Sequence, residues 1–328
     1  MNRRAFLGGF AAIAATAAGG AAFARRDSAN VLRIGVMMNL THAPLLAGLG
    51  SGRIARALGP TKVETMAFRA GPRVSEALLG GAIDAGTAGS AAIVIHHARH
   101  AASGNGLRVL AGCASGGASF MTRKGSGIRS AADLHGKRLA VTQIGTTQDV
   151  ALRGYLRRNG LVDRAAGGDV TVLAIASSVI LDQMQRGELD GAWLAEPWAT
   201  RLEMEIGADR FVDERDLWPG RTFSTAALAT RARQADDPRI GRLVAALAEE
   251  VERAKTAPEA TLDEAYAEMK KHVGNPGSRK VFAAAARFVD FTSDPIRSSF
   301  AQFAEDAKVM GFIPGTSGDH GLFGGTNA

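Results

Sequence analysis

Apolar runs of strand length alternate with helical spacings along most of this chain. Val31–Asn39 is a short run rich in β-branched residues and predicts a strand. The stretch 43–59, APLLAGLGSGRIARALG, predicts a glycine-softened helix. A strand at Lys62–Phe68, a helix at Pro72–Leu79 and a short strand at Ala82–Thr87 follow. SAAIVIHHARHAA from Ser90 predicts a helix, and Leu107–Ala114 and Ala118–Arg123 predict strands. The alternation then restarts: strand Arg138–Ile144, helix Thr147–Asn159, strand Val170–Ile175, helix Ile180–Arg186, strand Gly191–Leu194, helix Pro197–Ile206, strand Phe211–Val212. A strand at Phe223–Thr230 closes this half, and everything after Asp236 reads as helix, the last at about 294–310. Helices of this length between strands imply right-handed crossovers and mostly parallel sheets. The segments near 119–124 and 222–231 flank the second unit and suit strands crossing between two lobes.

In such folds ligands bind at the carboxyl ends of strands. The residues there are small and polar: Asn39-Leu40-Thr41-His42, Gly89-Ser90, Ser115-Gly116-Gly117, Gly145-Thr146-Thr147-Gln148 and Glu196-Pro197-Trp198. Thr146–Gln148 opens the helix whose apolar face is Ala151, Leu152, Tyr155 and Leu156, with Asn159-Gly160 as its stop. A helix start offers free N–H groups and a positive dipole end. One such junction is explained by capping. Several on one side favour a site for an anion.

Composition narrows the classes. The chain has 328 residues, 46% hydrophobic and 22% charged, which fits a globular protein of two domains. The net charge of +7 comes without basic runs or basic–aromatic interleaving, so nucleic acid is not an expected partner. One cysteine, Cys113, excludes an intrachain disulfide framework. The N-terminus has Arg3-Arg4, then a weakly apolar Ala/Gly stretch closing on Ala22-Phe23-Ala24. Residues 1–24 therefore read as a cleavable export signal, resembling the twin-arginine type despite Asn2 and Gly8 at atypical positions. Its removal lowers the net charge from +7 to +5. The mature chain is expected in the periplasm.

NLTHAPLLAGL, EALLGGAIDAGTAGSAA, SGIRSAADLHGKRLAV, IGTTQDVALRGYL and GELDGAWLAEPWATRL together resemble the periplasmic substrate-binding proteins of the nitrate, sulfonate and taurine ABC importers. The aliphatic-sulfonate branch is the nearest, and the likeness covers Val31 to Arg231. The resemblance implies an α/β, two-lobed type II periplasmic binding protein fold. An N-lobe of residues 31–118 plus 231–328 and a C-lobe of 119–230 would be joined by two crossing strands. It further implies a monomer that hands a small anionic solute to an inner-membrane permease with its ATPase, using no cofactor and no catalytic residue. By position, the ligand would meet Asn39, Thr41, His42, Ser90, Ser115, Thr146, Thr147, Gln148, Glu196 and Trp198. A sulfonate has three acceptor oxygens, which N–H groups and hydroxyls can saturate with no Arg or Lys beneath it. Trp198 or Trp218 would cover an organic substituent; Glu196 suits its own helix better than an anion.

Two alternatives stand beside this reading: an enzyme on the same fold, of pyrimidine-precursor synthase or pyrrole deaminase type, and a receptor for a neutral heterocycle such as a thiamine precursor. The export signal and the lack of a nucleophile constellation weigh against the first, and the 6% aromatic content against the second. His96, His97 and His100 lack acidic neighbours and read as a solvated basic helix face rather than a metal site. Cys113 reads as a small buried hydrophobe, and Asp84 and Asp190 as turn residues entering strands.

Overall fold

The computed structural model describes residues 30–273, 276–314 and 321–324. The expected export signal, residues 1–24, lies outside the described residues. Two sheets form, each with its own helices.

The first sheet collects β1 (Val31–Met37), β2 (Lys62–Phe68), β3 (Ala85–Gly89), β4 (Leu107–Gly116), β10 (Ser224–Arg231) and β11 (Val289–Phe291) in the order β11-β4-β10-β3-β1-β2. The second collects β5 (Ala118–Thr122), β6 (Arg138–Val141), β7 (Thr171–Ala174), β8 (Gly191–Ala195) and β9 (Asp209–Asp213) in the order β7-β6-β8-β5-β9. The helices are α1 (Ala43–Gly50), α2 (Arg53–Ala57), α3 (Gly71–Leu79), α4 (Ser90–His100), α5 (Thr147–Arg158), α6 (Ser177–Gln185), α7 (Trp198–Ile206), α8 (Pro238–Thr256), α9 (Pro258–Val273), α10 (Arg279–Ala285) and α11 (Arg297–Val309).

The structure departs from the sequence expectation at four points. The sheets are mixed rather than mostly parallel: β1 pairs in parallel with β2 and β3, and β6 with β7 and β8, but β3–β10, β10–β4, β4–β11, β5–β8 and β5–β9 are antiparallel. A strand that enters a lobe from the cleft runs antiparallel to the strands that end there, as β5 does against β8 and β10 against β3. β10 belongs wholly to the first sheet, so the second crossing falls before Ser224 rather than at 230. The expected helix over 43–59 breaks at Ser51-Gly52, where Gly52 takes φ +74°, a conformation that costs glycine nothing. β11, only three residues at a sheet edge, is too short to show an alternation in sequence.

The first sheet buries one face under α1, α8, α9 and α10, with Leu46, Leu247 and Phe282 inside, and the other under α3, α4 and α11. Cys113 is fully buried in the first of these cores, and burial pushes its thiol pKa up to about 12. In the second lobe Phe120 stacks on Trp193 with ring centroids 5.4 Å apart. A further apolar cluster bridges the lobes: Ala91 and Ile95 of α4, Val150 of α5, Phe223, and Phe303 of α11. Asp306 of α11 adds ion pairs to Arg157 and Arg158 of α5.

The two halves repeat one internal device. Asp84, just before β3, accepts from the backbone N of Arg33 and pairs with its guanidinium. Asp190, just before β8, accepts from the backbone N of Arg138 and pairs with Arg123. Each aspartate ties the entry of one parallel strand to its neighbour, beyond the turn role read from sequence.

Candidate functional site

The interlobe cavity lies at the carboxyl ends of six parallel strands. Met37 ends β1 and Met38 and Asn39 follow it, Arg69 and Ala70 follow β2, and Gly89 ends β3. Thr142 follows β6, Ser177 follows β7, and Ala195 ends β8. The inner chamber measures about 70 Å³ and adjoins an outer one of about 470 Å³.

Helix starts dominate the inner wall. The N-cap positions of α3, α4 and α6 are held by Ala70, Gly89 and Ala176, none of which supplies a side-chain cap. Alanine is among the poorest N-caps. A helix begun that way leaves its first N–H groups to other partners. α5 differs: Thr146 accepts from Asp149 N at 3.3 Å and is the true N-cap. Thr147 is the first helical residue, and its Oγ1 crosses the cleft to accept from Ala91 N of α4 at 3.2 Å. The approach is close because residue 89 is glycine; a Cβ there would lie 2.6 Å from Thr147 Oγ1.

The side chains supply donors. Asn39 Oδ1 accepts from both Thr41 N at 3.1 Å and Thr41 Oγ1 at 2.6 Å, so the remaining end of its amide is the NH2 donor. Thr142, Gln148 and Ser177 are half-buried, and their side chains have no hydrogen-bond partner among the described residues. Neither chamber has an aspartate or glutamate in its lining.

Of the ten expected ligand residues, Asn39, Thr146, Thr147, Gln148 and Trp198 line the cavity. The other five are placed elsewhere. Thr41 holds Asn39. His42 is buried, with its pKa pushed down to about 3 by desolvation, and lends the site no charge. Ser90 donates to Ser224 Oγ at 2.8 Å, fastening α4 to β10. Ser115 accepts from Phe223 N at 3.2 Å and joins the two crossings. Glu196 is fully buried; it accepts from Thr200 N at 2.9 Å and pairs with Arg210 at 3.0 Å. It satisfies a first-turn N–H of α7 from the residue before the Pro197 N-cap, and the Arg210 pair opposes the upward push that burial gives its pKa.

Sequence reasoning missed Arg69. It lines both chambers, is exposed, and has no ion pair among the described residues. Arg69 thus joins the residues expected from sequence at the cavity. The only sequence signal was its place after β2, a strand end that carried no small hydroxyl. The histidine helix is corrected. His96 and His97 are buried and bond the carbonyls of Ala92 and Leu107, each at 2.8 Å. Their side of α4 faces the lobe interior rather than solvent. No group of metal-ligating residues occurs among the described residues.

Two lobes, two crossings and a cleft at the strand ends define the two-lobed periplasmic binding protein fold. The alkanesulfonate-binding protein SsuA of Xanthomonas axonopodis pv. citri, bound to MOPS, superposes with a TM-score of 0.70 at 20% identity, over 87% of this chain and 94% of that one. The periplasmic nitrate-binding protein NrtA of Synechocystis PCC 6803 gives 0.72 at 15%, over 88% and 83%. The chain belongs to the NMT1-like family, whose model matches residues 27–269. Among curated relatives, a Brucella abortus protein described as a binding protein is 28% identical over 203 residues, 61% of this chain. That match spans 60% of the relative's length.

Proposed function

We propose that this chain is an extracytoplasmic receptor that captures a small organic anion, most simply an aliphatic sulfonate, and delivers it to an ABC import permease and its ATPase. The carrying observation is the three helix starts, α3, α4 and α6, that border the two adjoining chambers without a side-chain cap, Ala70 and Gly89 on the inner chamber and Ala176 on the outer. Uncapped N–H groups and aligned dipoles suit an anion, and the lining adds Arg69 and no carboxylate. The likeness to SsuA and NrtA supports the anion class, and the sulfonate is the choice made within it. The role is binding rather than catalysis: Cys113, the one thiol, is buried and held protonated, so it supplies no nucleophile. The division into an N- and a C-lobe is taken to follow the two sheets, which moves β10 (Ser224–Arg231) from the expected C-lobe to the N-lobe, with the monomer closing on its solute about the crossings.

A thermal-shift screen with alkanesulfonates, taurine, nitrate, bicarbonate and pyrimidines tests this. A ligand at about 100 times its dissociation constant stabilises by about 2.7 kcal/mol. A shift with sulfonates is the expected result; a shift with pyrimidines alone would overturn it.

A further inference from the structure

The outer chamber, at about 470 Å³, is far larger than a bare inorganic anion needs. Its volume falls in the range of sites for organic molecules. It shares Arg69 and Trp198 with the inner chamber and adds Arg201, Met269, Val273 and Pro276. The Arg201 guanidinium lies over the Trp198 ring, 4.8 Å from its centroid. Its Nε is held by Glu205 at 2.7 Å, while Nη1 and Nη2 have no partner among the described residues. Arg69 is likewise unpaired. The chamber thus joins an apolar wall to two guanidiniums and lacks a carboxylate of its own.

We infer that the solute is an organic dianion: a compact acidic head in the inner chamber and a second acidic group, on a short methylene tail, read by Arg69 and Arg201 in the outer one. This rests on the receptor reading above. Met269, Val273 and Pro276 cover the methylenes. Arg201, pinned by Glu205 and the indole face, offers a fixed pair of N–H donors that fits a carboxylate. A receptor for simple alkanesulfonates would need neither cation there.

The test is isothermal titration with a matched pair, 3-sulfopropanoate and 3-methylbutane-1-sulfonate, which differ in carrying a carboxylate or an isopropyl group at the tail. At least a tenfold preference for 3-sulfopropanoate is expected. In Arg201→Gln that preference should fall to threefold or less. Equal affinity of the two probes for the unaltered protein would overturn the dianion and leave the anion receptor standing. A preference that survives in Arg201→Gln overturns the role of that side chain. Binding of neither probe overturns the sulfonate reading, and this inference with it.

Discussion

Thr147→Val removes a side-chain hydrogen bond that crosses the cleft at the helix starts. Thr147 is 1% exposed and Ala91 is fully buried, and Thr147 Oγ1 takes the Ala91 N–H at 3.2 Å. Valine keeps the β-branch and the volume, and the cap of α5 is untouched because Thr146 supplies it. What changes is that the Ala91 N–H loses its acceptor while the lobes are together. An unpaired buried donor costs about 1–3 kcal/mol. When the lobes part, water reaches that N–H and the cost disappears. The penalty therefore falls on the closed, ligand-holding state alone. The anion that stabilises the protein in the screen should bind about fivefold to 150-fold more weakly, while the ligand-free protein melts within about a degree of the unaltered one. Titration calorimetry and thermal melts read the two quantities. An affinity within twofold of the unaltered protein would refute the reasoning, because the bond would then not belong to the state that holds ligand.

Gly89→Ala approaches the same point from the other lobe: its Cβ would sit 2.6 Å from Thr147 Oγ1, so it should wedge the cleft and weaken binding, read by titration, with the first lobe folded by circular dichroism. Glu214, fully buried, has its pKa pushed up to about 8 by burial, against the bond it accepts from the Trp193 indole. The folded state therefore holds a proton that the unfolded chain releases above the ordinary glutamate range, and stability falls as pH rises from that range to about 8. His42, held down near 3, changes stability only below its unfolded value near 6.5. Melts of Glu214→Gln against the unaltered protein between about pH 6.5 and 8 should show the downward slope reduced; an identical slope would remove Glu214 as its source. Cys113→Ala should cost about 1–2 kcal/mol in denaturant melts and leave ligand binding intact, and a covalent adduct on Cys113 in native mass spectra would revive the enzyme reading. Replacing Arg3 and Arg4 with Lys should leave the precursor in the cytoplasm, seen by fractionation; normal export would exclude the twin-arginine route.

What the sequence determined by itself was local. Helical spacing and β-branched runs placed most elements, because backbone periodicity and side-chain burial obey the same period within one segment. Asn159-Gly160 ended α5 as read, with Gly160 at φ +74°. The burial of Cys113 followed from its place in an apolar strand. The position of the cleft followed from strand ends, and half of the expected ligand residues do line the cavity. The roles of the individual side chains were decided elsewhere. A hydroxyl at a helix start has three physical uses, as cap, as tie or as ligand donor, and its sequence is the same in each. Thr146 became the cap, Ser90 and Ser115 became ties to β10 and its approach, and Thr147 met Ala91, 56 residues away, only because two crossing strands bring α4 and α5 together. Arg69 and the bare N-caps Ala70 and Ala176 carry no local signal beyond their place after a strand. Their meaning comes from convergence on one cavity, a long-range property set by sheet order and lobe packing, which no window of sequence contains.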